Sequence, residues 1–155
     1  MEEKKIGISK PDRAGDFVGK HEMSWDEYTE FINVLYKQIK QEGYDQKTDV
    51  IMGIAKGGVV PAVHLANITG MHYIACDTVL PYQLQKVKKV FLVDDIADTG
   101  GTLKRVIQQL KSVKKSIRIC TAVIVYRNTS KIVPNCYSFI WPGNEWFIFP
   151  WEVIG

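Results

Sequence analysis

The run Val90-Phe91-Leu92-Val93-Asp94-Asp95-Ile96-Ala97-Asp98-Thr99-Gly100-Gly101-Thr102 constrains this chain more than any other stretch. Four apolar residues read as a buried strand, and two adjacent carboxylates follow at its C-terminal end. In open α/β sheets that end is where ligands bind. A turn of small and hydroxyl side chains comes next, and Leu103 to Val113 has helical character. Such a turn offers backbone N–H groups and the Thr99 and Thr102 hydroxyls at a helix N-terminus, a natural seat for phosphate. A Thr N-cap would account for a lone Asp-Thr-Gly-Gly. It does not account for adjacent Asp residues ending a buried strand, which are costly without a ligand or metal beside them. Paired acids beside a phosphate cradle suit a sugar phosphate, with the acids accepting from ribose hydroxyls or from magnesium-bound water.

A second loop has the same character. Gly53-Ile54-Ala55-Lys56-Gly57-Gly58 lies between an apolar strand, Asp49 to Ile54, and a helical stretch, Val59 to Ile68, with Pro61 in its first turn. Glycines let backbone amides approach an oxyanion closely, and Lys56 adds positive charge. The spacing matches neither the Walker loop nor the dinucleotide fingerprint. Alone, this is an ordinary tight connection. With the Asp-Asp and Thr-Gly-Gly-Thr elements it gives two phosphate seats flanking a diol seat, the layout of a sugar with phosphate at one end and pyrophosphate at the other.

The remaining elements follow from periodicity. Ser24 and Glu27 have capping-box spacing, and Tyr28, Phe31, Ile32, Leu35 and Ile39 then recur on one helical face. His72 to Leu80, Lys89 to Val93 and Ile117 to Tyr126 read as strands. Their order predicts an α/β fold with a mainly parallel twisted sheet, helices on both faces and a small aromatic C-terminal hood after Pro134. Residues 1–20 read as an extension, a tail or an added strand, and 21–155 as a single domain. Of 155 residues 46% are hydrophobic and the net charge is +3 with Lys and Arg spread along the chain, so no dedicated nucleic-acid surface is indicated. Cys76, Cys120 and Cys136 lack metal-ligand spacing and read as buried reduced thiols, which with the lack of a membrane-length apolar run predicts a cytoplasmic location.

The acid-ended strand with its Asp-Thr-Gly-Gly-Thr turn resembles the signature of the type I phosphoribosyltransferases. Ser24-Trp25-Asp26, Lys56-Gly57-Gly58-Val59-Val60-Pro61 and Trp146-Phe147-Ile148-Phe149-Pro150-Trp151-Glu152 look like the xanthine-guanine, or 6-oxopurine, branch of that family. The resemblance implies transfer of ribose 5-phosphate from phosphoribosyl pyrophosphate to a purine, with Mg²⁺, in a homo-oligomer of two or four chains. It implies that Ala97, Asp98, Thr99, Gly100, Gly101 and Thr102 hold the 5′-phosphate. Asp94 and Asp95 would face the ribose hydroxyls and the magnesium shell, and Lys56 and Gly57 the pyrophosphate. Asp98 would stand near purine N7 as general base or as its orienting partner. Trp146 matches the family's stacking aromatic, the Phe147 backbone would read the 2-position, and Arg127 stands where the family commonly has a Lys donating to the 6-oxo group. Glu152 replaces the family's Asp as a further purine contact. A cis peptide between Ala55 and Lys56 belongs to the same set of expectations.

From the residues alone, Trp146 is equally a core aromatic and Arg127 a solvated strand-end charge. The family also places a long closing loop before the acid-ended strand, whereas only Pro81 to Lys89 occupy that position here. A sensor of phosphoribosyl pyrophosphate with little catalysis is the alternative from another class. Asp98, Trp146 and Arg127 argue against it, because a pure sensor needs no base pocket, and Trp146 and Arg127 also oppose adenine or a pyrimidine as the base.

Overall fold

The strand expected at the paired acids is longer than its apolar run. In the computed structural model, which describes residues 19–77, 79–143 and 145–153, β4 covers Lys89–Ala97, so Asp94 and Asp95 lie within it. The other strands are β1 (Lys20–Glu22), β2 (Asp49–Gly53), β3 (His72–Ala75), β5 (Arg118–Arg127), β6 (Cys136–Trp141) and β7 (Trp146–Ile148). The helices are α1 (Trp25–Glu42), α2 (Val59–Thr69), α3 (Pro81–Leu84) and α4 (Gly101–Val113). A short 3₁₀ turn at Pro150–Glu152 follows β7. Residues 1–18, most of the N-terminal extension, lie outside the described residues.

Among the described residues, five strands pair in the order β3-β2-β4-β5-β6, every pair parallel. Parallel neighbours require crossovers, and these bring every strand to its C-terminal end on the same edge. The pleat alternates side chains between two cores. Ile51, Phe91 and Val93 face α1 and α2, packing with Ile32, Leu35, Ala62 and Leu65. Val50, Met52, Val90 and Leu92 face α4, packing with Leu103, Val106 and Leu110. Helices thus cover both faces, and strands buried on both sides read as continuous apolar runs.

The helix starts follow local chemistry. The Ser24 side chain accepts from Glu27 N at 3.1 Å to cap α1, while the Glu27 carboxylate reaches back to His21 Nε2 at 3.2 Å. β1 pairs in parallel with β7, Lys20 beside Trp146, so the segment just before α1 anchors the aromatic C-terminus. Among the described residues, no helix is long and apolar enough to cross a membrane.

Two element boundaries differ from the sequence reading by more than two residues. β3 stops at Ala75 instead of running to Leu80, and Pro81 opens the short α3, its fixed φ suited to a first helical turn. The Gln83 side chain accepts from Leu80 N at 2.8 Å. The connection before β4 is therefore tied down: Leu84 and Val87 are buried in the α4-side core. Lys114 Nζ donates to the carbonyls of Leu84, Gln85 and Val87 at 3.0, 3.3 and 2.6 Å. Conversely, β4 extends to Ala97 because β5 is long enough to pair with it as far as Tyr126.

One half-buried ammonium thus satisfies three carbonyls of an otherwise irregular segment. Replacing Lys114 with Ala is expected to lower stability by about 1–2 kcal/mol. Urea unfolding checks this, with an unchanged midpoint contradicting the role.

Candidate active site

The C-terminal edge of the sheet brings both glycine loops together, because β2 and β4 are adjacent. The loop after β2 is pinned to β4: Ile54 N donates to Val93 O and Gly58 N to Ile54 O, each at 2.8 Å. The Ala55–Lys56 peptide is cis, as expected. Lys56 is exposed at the tip of the loop. The two glycines that follow are dictated by crowding. A β-carbon at Gly57 would collide with the Asp95 carboxylate, and one at Gly58 with the Val93 carbonyl. Only backbone fits between this loop and the acid-ended strand.

The pleat separates the paired acids. Asp95 has the parity of Phe91 and Val93 and is fully buried, its carboxylate against Gly57 and its Oδ1 accepting from Ile96 N at 2.7 Å. Asp94 has the parity of Leu92, and its Oδ1 accepts from Asp95 N at 2.8 Å. Asp95 thus braces the Lys56-Gly57 loop, and Asp94 lies on the opposite face of the strand, toward Cys76. Asp94 also acts on Cys76, whose thiol is pushed up to about 11 by burial, by Asp77 and by Asp94.

The turn from Asp98 to Thr102 is built as a cradle. Gly100 has φ +85°, a left-handed conformation suited to glycine, and a β-carbon there would stand 2.8 Å from Ser130 Oγ. The Thr99 hydroxyl accepts from Gly101 N at 3.2 Å, and Gly101 and Thr102 open α4. The turn rests on the segment after β5: Lys131 N donates to Thr99 O at 2.9 Å and the Thr129 hydroxyl to Asp98 O at 3.2 Å. Thr129, Ser130 and Lys131 escaped the sequence reading because they belong to no motif. The Asn128-Thr129-Ser130 cluster of turn-forming residues was the available signal.

Arg127, at the end of β5, is 3% exposed rather than solvated. Its Nε stands 3.4 Å from Asp98 Oδ1, and its terminal nitrogens donate to the carbonyls of Gly143, at 2.5 Å, and Glu145. Burial pulls its pKa down, and the negative charges of Asp98 and Glu145 oppose that pull. Arg127 thereby links the base-candidate carboxylate to the segment leading into β7, where Trp146 and Phe147 are both buried. The Glu152 carboxylate accepts from Phe149 N at 3.0 Å, closing the 3₁₀ turn.

The structure therefore gathers Lys56, Gly57, Asp94, Asp95 and the 97–102 turn at adjacent strand ends, and Arg127 joins Asp98 to the approach to Trp146. Comparison with known proteins identifies the family and the fold. The chain is 26% identical over 113 residues to orotate phosphoribosyltransferase of Caldanaerobacter subterraneus subsp. tengcongensis, covering 68% of this chain and 59% of the relative's length. It is 27% identical over 116 residues to xanthine-guanine phosphoribosyltransferase of Nitratidesulfovibrio vulgaris, covering 66% and 68%. The solved structure of a purine phosphoribosyltransferase from Pyrococcus horikoshii Ot3 superimposes with a TM-score of 0.71 at 28% identity, covering 88% of this chain and 96% of that one. The sequence profile of the phosphoribosyl transferase domain matches residues 71–153, more than half of the chain. The chain belongs to the phosphoribosyl transferase domain family and has its type I fold.

Proposed function

We propose that this chain transfers the 5-phosphoribosyl group of phosphoribosyl pyrophosphate to a purine and prefers 6-oxopurines to adenine. One observation carries the reading: two backbone-lined anion loops stand at adjacent strand ends with buried acids between them. That arrangement suits a ligand with phosphate at one end, pyrophosphate at the other and hydroxyls between. The 97–102 turn takes the 5′-phosphate on its amides and threonine hydroxyls. Lys56 and the amides around Gly57 take the pyrophosphate. Asp94 accepts from the ribose hydroxyls, and Asp95 holds the pyrophosphate loop in place from beneath.

The donor set at this edge fits Mg²⁺, since hard carboxylate oxygens and ligand phosphates are its usual partners. Asp94 would hold the ion, mostly through water, with Asp95 behind it. When bound, the ion neutralises charge on the departing pyrophosphate.

In the transfer, the bond from C1′ of ribose to pyrophosphate breaks and a bond from C1′ to a purine nitrogen forms. The purine N–H proton must leave. Asp98 is placed to accept it, or to orient the group that does. The Arg127 guanidinium beside Asp98 favours its anionic form and fixes its direction. Developing positive charge on the ribose would be met by the fixed carboxylates. Trp146 supplies a stacking surface, and the Phe147 backbone reads the 2-position. Catalysis in the cytoplasm by a dimer or tetramer completes the proposal.

Replacing Asp98 with Asn is expected to cut turnover by about 10²- to 10⁴-fold while leaving KM for phosphoribosyl pyrophosphate nearly unchanged. Near-normal kcat at saturating substrates would remove Asp98 from the role of base.

Base choice follows from donors and acceptors. A 6-oxopurine presents acceptors at O6 and N7, whereas adenine presents an amino donor at the 6-position. Arg127 has donors only, so adenine costs of order 1–3 kcal/mol more. Pyrophosphate release with Mg²⁺, phosphoribosyl pyrophosphate and a panel of guanine, xanthine, hypoxanthine, adenine and orotate tests the proposal. The 6-oxopurines should lead, and Arg127→Ala should shrink the ratio of kcat/KM for hypoxanthine over adenine. Orotate or adenine leading the panel contradicts the base assignment. Tight binding of phosphoribosyl pyrophosphate with no turnover on any base would mark a sensor instead.

A further inference from the structure

The opposite edge of the sheet carries a cluster that the proposed transfer does not use. Cys120 is the third residue of β5 and Cys136 the first of β6, so both stand near the N-terminal ends of their strands. Both are free, 4% and 0% exposed, with Sγ atoms 4.0 Å apart. Glu42, the last residue of α1, brings a carboxylate oxygen to them, and the three ligand atoms all lie within 4.8 Å of one another. The residues are far apart in sequence, at 42, 120 and 136, which is why no metal-ligand spacing was legible.

We propose that Glu42, Cys120 and Cys136 form a site for a soft divalent metal, Zn²⁺ by preference, distant from the phosphate-binding edge. The distances favour this over a disulfide, whose sulfurs stand about 2 Å apart. Around tetrahedral zinc, with Zn–S near 2.3 Å, two thiolate sulfurs lie about 3.8 Å apart. The observed 4.0 Å needs little adjustment. Thiolate pairs select zinc over the hard Mg²⁺ that the carboxylates at the other edge suit. Glu42 is exposed, which gives the ion a path in, and water completes the fourth position.

Two thiolates and one carboxylate around a dication leave a net charge of −1. Lys89, held at the same helix end by the Gly43 carbonyl and by Asp49 at 3.9 Å, is the nearby cation that acts on both thiols. The thiols release their protons to solvent as the metal binds. Binding would tie the C-terminus of α1 to β5 and β6, adding to the Gln38 side chain, which already donates to Tyr137 O at 2.6 Å and accepts from Tyr137 N at 2.8 Å.

The full chain, stripped with chelator, is titrated with Zn²⁺ against a chromophoric competitor in excess Mg²⁺, and in parallel with Co²⁺. The site predicts one equivalent of Zn²⁺ per chain and a thiolate-to-cobalt charge-transfer band. Glu42→Gln, at an exposed helix end that tolerates it, should weaken zinc affinity by about 10²-fold or more, beyond the usual loss for groups that merely support a ligand. Cys120→Ser or Cys136→Ser alone should weaken the band, the two together should abolish it, and Cys76→Ser should retain it. Absence of the band in the unsubstituted chain overturns the proposal, and so does unchanged affinity in Glu42→Gln. Neither result bears on phosphoribosyl transfer, which is assayed with Mg²⁺ alone.

Discussion

Three carboxylates buried within five residues set the terms for the C-terminal edge of the sheet. Asp94, Asp95 and Asp98 are 7%, 0% and 8% exposed at the end of β4, where burying a charge is costly unless surrounding groups answer it. The neighbouring architecture does answer it. Backbone N–H groups of Asp95 and Ile96 meet the first two, a guanidinium meets the third, and two glycines allow the facing loop to close onto the strand. An Ala at Gly57 or Gly58 would separate that loop from β4, and the two glycine loops would lose their fixed spacing. Preorganisation of this kind is what charge stabilisation in a transition state requires.

The parallel sheet divides labour between its two edges. At the C-terminal edge, strands end in glycine loops that expose amides to a ligand. At the N-terminal edge, the chain closes on itself through Lys114, Lys89 and the Glu42-Cys120-Cys136 cluster. The first edge suits exchange of substrate and product, and the second holds the irregular segment before β4 in place. The short connection that replaces the family's closing loop fits the same pattern. Its residues Leu84 and Val87 are in the core, which anchors the segment to the body of the domain.

Much of this was legible in the sequence because it depends on local rules. The cap at Ser24, the apolar face of α1, the buried run of β4 and the two glycine loops each follow from residue type and spacing. The parting of Asp94 from Asp95 was also implicit in the period-two pleat, although adjacency in sequence suggested one shared task. What could not be read depends on tertiary packing. Arg127 looks like a strand-end charge until the carbonyls of Gly143 and Glu145 fold over it. The contact of the Glu152 carboxylate with Phe149 N depends on the 3₁₀ turn that brings the two together. The cysteine pair becomes visible only once β5 and β6 lie side by side.

The central claim is that one ligand spans both loops at the C-terminal edge. Amide hydrogen exchange with and without phosphoribosyl pyrophosphate and Mg²⁺ tests it most directly. Protection should appear together in residues 55–58 and 97–102, with the same dependence on ligand concentration, while β3 and β6 stay unchanged. Protection confined to one loop, or two loops responding at different concentrations, would contradict the account.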